Sequence, residues 1–232
     1  MENNKIHYKY TMELDFENPQ ICVFLGKPKQ GKSYALRHTI LSNTVDKKVF
    51  KYGLVFTKTK FNGGYDYLPD DYVYEDYDPN ILQQYLDGLK ELDEKQLQPS
   101  YIIFDDIQGL LSNQDATLTQ LVSNHRHFKI SVFFCFQYLY ARGSTPLLRE
   151  CTTLAFLFNS KGKRTIEGLF ENFGQLFDTF KEFKEYYLAC TKEKHTAMLY
   201  IQDVDNIEDN YLQYKAPPPK EMKHVKNIKI QF

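Results

Sequence analysis

The 232-residue chain has no apolar run near the ~18 residues a membrane-spanning helix needs, so no membrane association is expected. Its first ten residues, MENNKIHYKY, hold no apolar stretch of the signal-peptide kind, and secretion is not expected. No CxxC pair occurs: Cys22, Cys135, Cys151 and Cys190 stand far apart, three of them in apolar stretches. That spacing excludes a disulfide framework and a cysteine zinc site, and points to a reducing compartment. Net charge is almost absent, with 30 acids against 29 bases. A globally basic nucleic-acid binder is thereby excluded, and any DNA contact must come from a local patch. No internal repeat or long low-complexity segment is found. Arginine is scarce beside lysine, and three of the five arginines, Arg126, Arg142 and Arg149, share one stretch.

What is present suffices for a core: 42% of residues are hydrophobic and 25% charged. Ile21–Leu25, Tyr101–Phe104, Ile130–Phe136 and Thr153–Phe158 are continuous apolar runs, as in strands buried on both faces. Val49–Thr57 and Ala197–Gln202 read as further strands, and Ile6–Leu14 as a short edge strand. Helical patterns run to Leu41, over Asn80–Leu97 and over Asp115–His127, with two more helices broken near Gly174. Residues 62–78 hold six acids and no base and read as a solvated loop. Strands alternating with helices predict a three-layer α/β fold with a mainly parallel sheet, extended by C-terminal helices and a strand. The domain is expected to span 1–214. From 215 to 232, three prolines and a run of lysines read as an extended basic tail.

One segment carries the chemistry. Gly26-Lys27-Pro28-Lys29-Gln30-Gly31-Lys32-Ser33 fits GxxxxGK[ST] and continues to Tyr34. It follows a buried strand and opens a helix, as a phosphate-binding loop must. Glycines let the backbone wrap a phosphate with N–H groups inward, and the helix N-terminus adds a positive dipole end. Lys32 would reach the β- and γ-phosphates of ATP, and the Ser33 hydroxyl would ligate Mg2+. The second segment, Tyr101-Ile102-Ile103-Phe104-Asp105-Asp106, ends an apolar strand in two carboxylates. Asp105 would hold Mg2+ beside Ser33, and Asp106 would orient or deprotonate the attacking water. A strand between the two motifs, and an acid directly after the first aspartate, disfavour simple nucleotide kinases and GTPases. The third signal is Gln137, at the tip of Ile130–Phe136, where it would sense the γ-phosphate or the water.

Arg126, within His125-Arg126-His127, is the candidate arginine finger, since a planar, always-charged group suits a transferring phosphoryl. At the far end of the strand from Gln137, it would act on a neighbouring subunit's nucleotide. Arg142 and Arg149 are its rivals. The two histidines diverge on a helix and make a poor metal pair. Lys161, Lys163 and Arg164 are candidates for non-specific phosphate contact. Phe170, Phe173, Phe177, Phe180, Phe183 and Tyr187 form a stripe at helical spacing, for burial against the sheet or for a subunit interface.

GKPKQGKS, IIFDDI, NHRHFKISVFFCFQ and TPLLRECTTLAFLF occur in this order. Over about 21–160 the chain resembles the genome-packaging ATPases of nucleocytoplasmic large DNA viruses and virophages, within the FtsK–HerA superfamily of DNA translocases. The resemblance implies a RecA-like P-loop core with strand order 5-1-4-3-2. It implies a homo-oligomeric ring, pentameric or hexameric, that uses ATP and Mg2+ to pump double-stranded DNA into a preformed capsid. A capsid or vertex protein would then be a partner, and the host cytoplasm or viral factory the location. It maps the family's arginine-histidine element onto Arg126-His127 and its glutamine onto Gln137. Many superfamily members have Asp-Glu where this chain has Asp105-Asp106. Alternatives are a DNA-transfer ATPase of the same superfamily and a nucleotide-switch adaptor.

Overall fold

The computed structural model describes residues 14, 16–107, 109–112, 114–140, 146–202, 204 and 209–215. The expected edge strand at Ile6–Leu14 (all but its last residue), Arg142 and the tail from 216 onward lie outside the described residues. The elements in chain order are β1 (Ile21–Leu25), α1 (Lys32–Leu41), β2 (Tyr52–Thr57), β3 (Val73–Tyr74) and α2 (Pro79–Lys90). They continue with β4 (Ser100–Asp105), α3 (Ala116–Asn124), β5 (Ile130–Phe136), α4 (Pro146–Cys151) and β6 (Leu154–Phe158). The chain then adds α5 (Lys163–Phe173), α6 (Phe180–Cys190), β7 (Thr196–Ile201) and β8 (Tyr211–Lys215).

All eight strands form one sheet, ordered β3-β2-β4-β5-β1-β6-β7-β8. Its middle five strands, read from β6 to β2, reproduce the expected 5-1-4-3-2 order. Three strands extend that core. The two-residue β3 adds at one edge, parallel to β2. At the other edge β7 and β8 pair antiparallel, which turns a parallel core into a mixed sheet. The sequence reading has one strand here; β8 is short and follows a polar stretch, so its run is easily missed.

The core lies on both faces, as uninterrupted apolar strands require. One face stacks Phe56, Phe104 and Phe134 across three neighbouring strands, with ring centroids 5.5 and 4.8 Å apart, and α2 to α6 cover it. The opposite face carries Phe24 stacked on Phe156 at 4.2 Å, and is covered by α1 and the segment after β2. Gly53 has a packing role, because a Cβ there would fall 2.1 Å from the Tyr101 ring. The aromatic stripe resolves toward burial: Phe173, Phe183 and Tyr187 are buried, and Phe170, Phe177 and Phe180 pack on the same cluster.

Three boundaries move by more than one residue. The helix expected over Asp115–His127 ends at Asn124, and His125 to Lys129 turn into β5. The helix expected over Asn80–Leu97 stops at Lys90, where a charged stretch turns on itself through Gln96 N–H to Asp93 O at 2.8 Å. Leu97 is nevertheless buried. Val49 and Phe50 do not enter β2, because their N–H groups donate to Asn43 O. The 62–78 loop exposes Asn62, Gly63, Gly64 and most of its acids, but Tyr65, Tyr67, Leu68, Val73 and Tyr77 are buried.

Candidate nucleotide-binding site

Register sets the site. Leu25 stands beside Phe136, and Asp105 beside Cys135, so β1, β4 and β5 end at one rim of the sheet. The residues that follow, Gly26, Asp106 and Gln137, are thereby brought to one edge. Open parallel sheets collect ligands at this carboxyl end. A cleft of about 620 Å³ opens there, lined by Pro28, Lys29, Gly31, Lys32, Ser33, Tyr34, Asp105, Asp106 and Gln137.

The loop after β1 is tied down at its start, where Gly26 N–H donates to Phe136 O at 3.1 Å. A Cβ on Gly26 would come within 2.7 Å of Phe158 Cβ, so glycine is needed for close approach. Gly31 caps α1 at φ 107, a left-handed conformation that glycine adopts freely. No side chain caps that end and no acid occupies its first turn, which leaves it open to an anion. Lys32 Nζ folds back on the loop, donating to Gly26 O at 2.6 Å and to Lys27 O at 3.1 Å. Burial pushes its pKa down, and the nearby Asp105 and Asp106 carboxylates oppose that shift.

Asp105 is buried, and its Oδ2 accepts the Tyr65 hydroxyl at 2.8 Å. Burial pushes its pKa up, Asp106 adds to this, and the Tyr65 hydrogen bond and Lys32 pull it back. Asp106 is exposed at φ 56, and its Oδ1 accepts Gln137 Nε2 at 3.0 Å. The ligand chemistry fits Mg2+: a hydroxyl and a carboxylate, both hard oxygen donors, share the cleft with an open helix end for phosphate. Mg2+ at such sites takes few protein ligands. Among the described residues no cluster of three histidine, cysteine or acidic groups offers an alternative metal cage.

The structure does not bring Arg126 to this cleft. Arg126 lies exposed in the turn before β5, about 20 Å away along a seven-residue strand. Its neighbour His125 is buried, with Nδ1–H donating to Val122 O at 2.9 Å, while His127 is exposed. Arg149, on α4, lies 5.4 Å over the Tyr140 ring. Lys161, Lys163 and Arg164 are exposed after β6.

Four cleft-lining residues escape the sequence reading, Thr59, Asn62, Cys135 and His195, and so does Tyr65, which lies behind the lining and bonds Asp105. Cys135 was within reach, being the residue two before Gln137 on a strand whose side chains alternate. His195 depends on topology. Because β7 runs antiparallel, its first turn lies at the carboxyl end of its neighbours, and His195, at φ 63, packs against Gly31.

Sheet order and loop position together define a RecA-like P-loop fold. No protein-family model and no curated protein matches the chain by sequence. Solved structures do match in fold. The chain is similar to the genome-packaging NTPase B204 of Sulfolobus turreted icosahedral virus 2, at TM-score 0.63 and 14% identity, covering 87% of this chain and 98% of that one. B204 has also been solved with AMPPCP and with ATP-gammaS. The chain is likewise similar to B204, the DNA-packaging ATPase of Sulfolobus turreted icosahedral virus, at TM-score 0.61 and 16% identity, covering 87% and 100%. The conjugation coupling protein TcpA of pCW3 matches at TM-score 0.58 and 13% identity, with 86% of this chain and 60% of TcpA covered. At these identities the likeness is one of fold.

Proposed function

We propose that this chain is an Mg2+-dependent ATP hydrolase that works as a homo-oligomeric ring and moves double-stranded DNA. In this reading it packages a viral genome into a preformed capsid. The observation that carries the ATPase reading is the gathering of Lys32, Ser33, Asp105, Asp106 and Gln137 in one cleft beside an open helix end. The packaging reading draws on the motif order and on the B204 likeness. We assign the ATPase domain to residues 1–214, with 215–232 as a basic appendage.

Residues 26–34 would wrap the phosphates with backbone N–H groups. Lys32 would leave the Gly26 and Lys27 carbonyls for the β- and γ-phosphates, a short swing about its own side chain. Ser33 and Asp105 would hold Mg2+, which neutralises charge developing on the phosphates. Asp106 would take the proton of the attacking water, and Gln137, already bonded to it, would orient that water. Arg126 would contact the nucleotide of the next subunit, because strand length keeps it from its own. Lys161, Lys163 and Arg164 would meet DNA phosphates without reading sequence.

The test is steady-state ATP hydrolysis against protein concentration, with and without long double-stranded DNA. A rate per subunit that climbs with concentration, and further with DNA, supports the ring motor. A rate flat in concentration and blind to DNA sinks the translocase reading. A slow, monomeric hydrolase whose Arg126→Ala form keeps full activity would instead be a nucleotide-switch adaptor.

A further inference from the structure

After β2 the chain does not leave the site. Residues 58–72 cross beside the cleft as a strap, with Thr59 and Asn62 lining the cavity and Phe61 standing out at the tip. The strap is fastened on the α1 side, where Arg37 pairs with Asp66 at 3.3 Å and lies 4.9 Å over the Tyr67 ring. It is fastened on the β4 side by Tyr65, itself 8% exposed, whose hydroxyl donates to Asp105 Oδ2 at 2.8 Å.

We propose that Tyr65 is a positioning residue for Mg2+: it holds Asp105 in the orientation that receives the ion. The inference rests on the Mg2+–ATP site proposed above and adds which side chain aims its acid. A carboxylate has two oxygens. Tyr65 donates to Oδ2, and the Cys135 thiol is a second hydrogen-bond donor to the same carboxylate, so the group is held from within the protein and its remaining acceptor capacity would serve the ion. A phenol suits this work, because it fixes the carboxylate without cancelling its charge, as lysine or arginine would. The strap's anchors are protein groups rather than ligand, so Asp105 is aimed before nucleotide arrives. Partners that orient metal-binding side chains commonly shift metal affinity by about 10–100-fold when removed.

The experiment uses the full chain and a fluorescent, non-hydrolysable ATP analogue. Binding is titrated in EDTA and across a Mg2+ series for wild type, Tyr65→Phe and Tyr67→Phe. Tyr65→Phe should bind the analogue in EDTA within about twofold of wild type, yet need about tenfold more Mg2+ for half-saturation. Tyr67→Phe removes a hydroxyl from the same strap, one that has no partner among the described residues, and should match wild type in both. Unchanged Mg2+ half-saturation in a folded Tyr65→Phe chain overturns the proposal. So does weakening that is equal with and without Mg2+, which would mark a packing role alone. Should Tyr65→Phe not fold, 3-fluorotyrosine at position 65 of the otherwise wild-type chain gives the second reading. Its fluorine resonance should move when Mg2+ is added to the nucleotide-bound protein, and a static resonance overturns the proposal. A wild-type chain with no Mg2+-dependent binding would sink the proposed function itself, a result distinct from failure of Tyr65→Phe alone.

Discussion

The two rims of the sheet are made by the same strands and set their polar groups in different surroundings. At the amino-end rim the chain bonds to itself. Gln20 N–H donates to Ser131 Oγ at 3.1 Å, Ile21 N–H to Thr153 Oγ1 at 3.0 Å, and Ser100 N–H to Lys129 O at 3.0 Å. Lys129 Nζ reaches the Glu94 and Leu97 carbonyls, each at 3.1 Å. At the carboxyl-end rim Lys32, Asp105, Asp106 and Gln137 also have chain partners, but they stand around an open cleft beside an uncapped helix end. Bonds that line an open cleft can be exchanged for bonds to an arriving ligand, whereas bonds closed inside the first rim can only be lost. The first rim holds the fold together; the second is arranged for charge that arrives from outside.

Arg126 is the sharpest challenge to that division, because it belongs to the amino-end rim and is assigned a role in hydrolysis. Arg126→Ala should cut hydrolysis by about 1000-fold or more, the range of arginine fingers. Mixed with inactive Lys32→Ala chains, it should regain partial activity, as measured by phosphate release. If mixing restores nothing while both still assemble with wild type, the amino-end rim is structural throughout.

Substitutions at the carboxyl-end rim come next. Lys32→Ala and Asp106→Ala should each lower hydrolysis by about 100-fold or more, with melting temperature close to wild type. A large loss of melting temperature in either would mean that this rim also holds the fold together. Thr153→Val tests the other side. It strips a buried N–H of its acceptor at a cost of about 1–3 kcal/mol, or roughly 2–10 °C in melting temperature. Activity per folded chain should not change.

How far each rim is legible in the sequence follows from the same contrast. The phosphate loop and the Asp105-Asp106 end are contiguous segments with fixed spacing, so Gly26 to Ser33 and both acids can be placed before any fold is known. Gln137 follows from strand direction. Tyr65 and His195 could not be placed, because their positions depend on non-local events. Tyr65 meets Asp105 across 40 residues, through a loop whose acids disguise its buried aromatics. His195 reaches Gly31 only because β7 reverses direction. The five-strand core order was readable through the family resemblance, whereas β3 and β8 pair at edges and are too short, at two and five residues, to leave a clear pattern.

The smallest expected effect is on pH. Burial pushes the pKa of His125, in the amino-end rim, below its ordinary 6.5, and Arg126 and His127 add to that shift. The unfolded chain therefore takes up this proton first as pH falls. The stability from keeping the ring neutral is present above about 6.5 and is lost as pH falls from there toward the folded value. His125→Asn should flatten the drop in urea midpoint between pH 7.5 and pH 5.5. An unaltered drop would assign it to other groups.

Phe61 has a practical consequence. It is 78% exposed beside Asn62 and near Thr59, both of which line the cleft, in a chain with no tryptophan. A Phe61→Trp chain would therefore hold a single indole emitter at the mouth of the site. Its colour and intensity would follow cleft filling in real time, one subunit at a time if only one member of an assembly carried it.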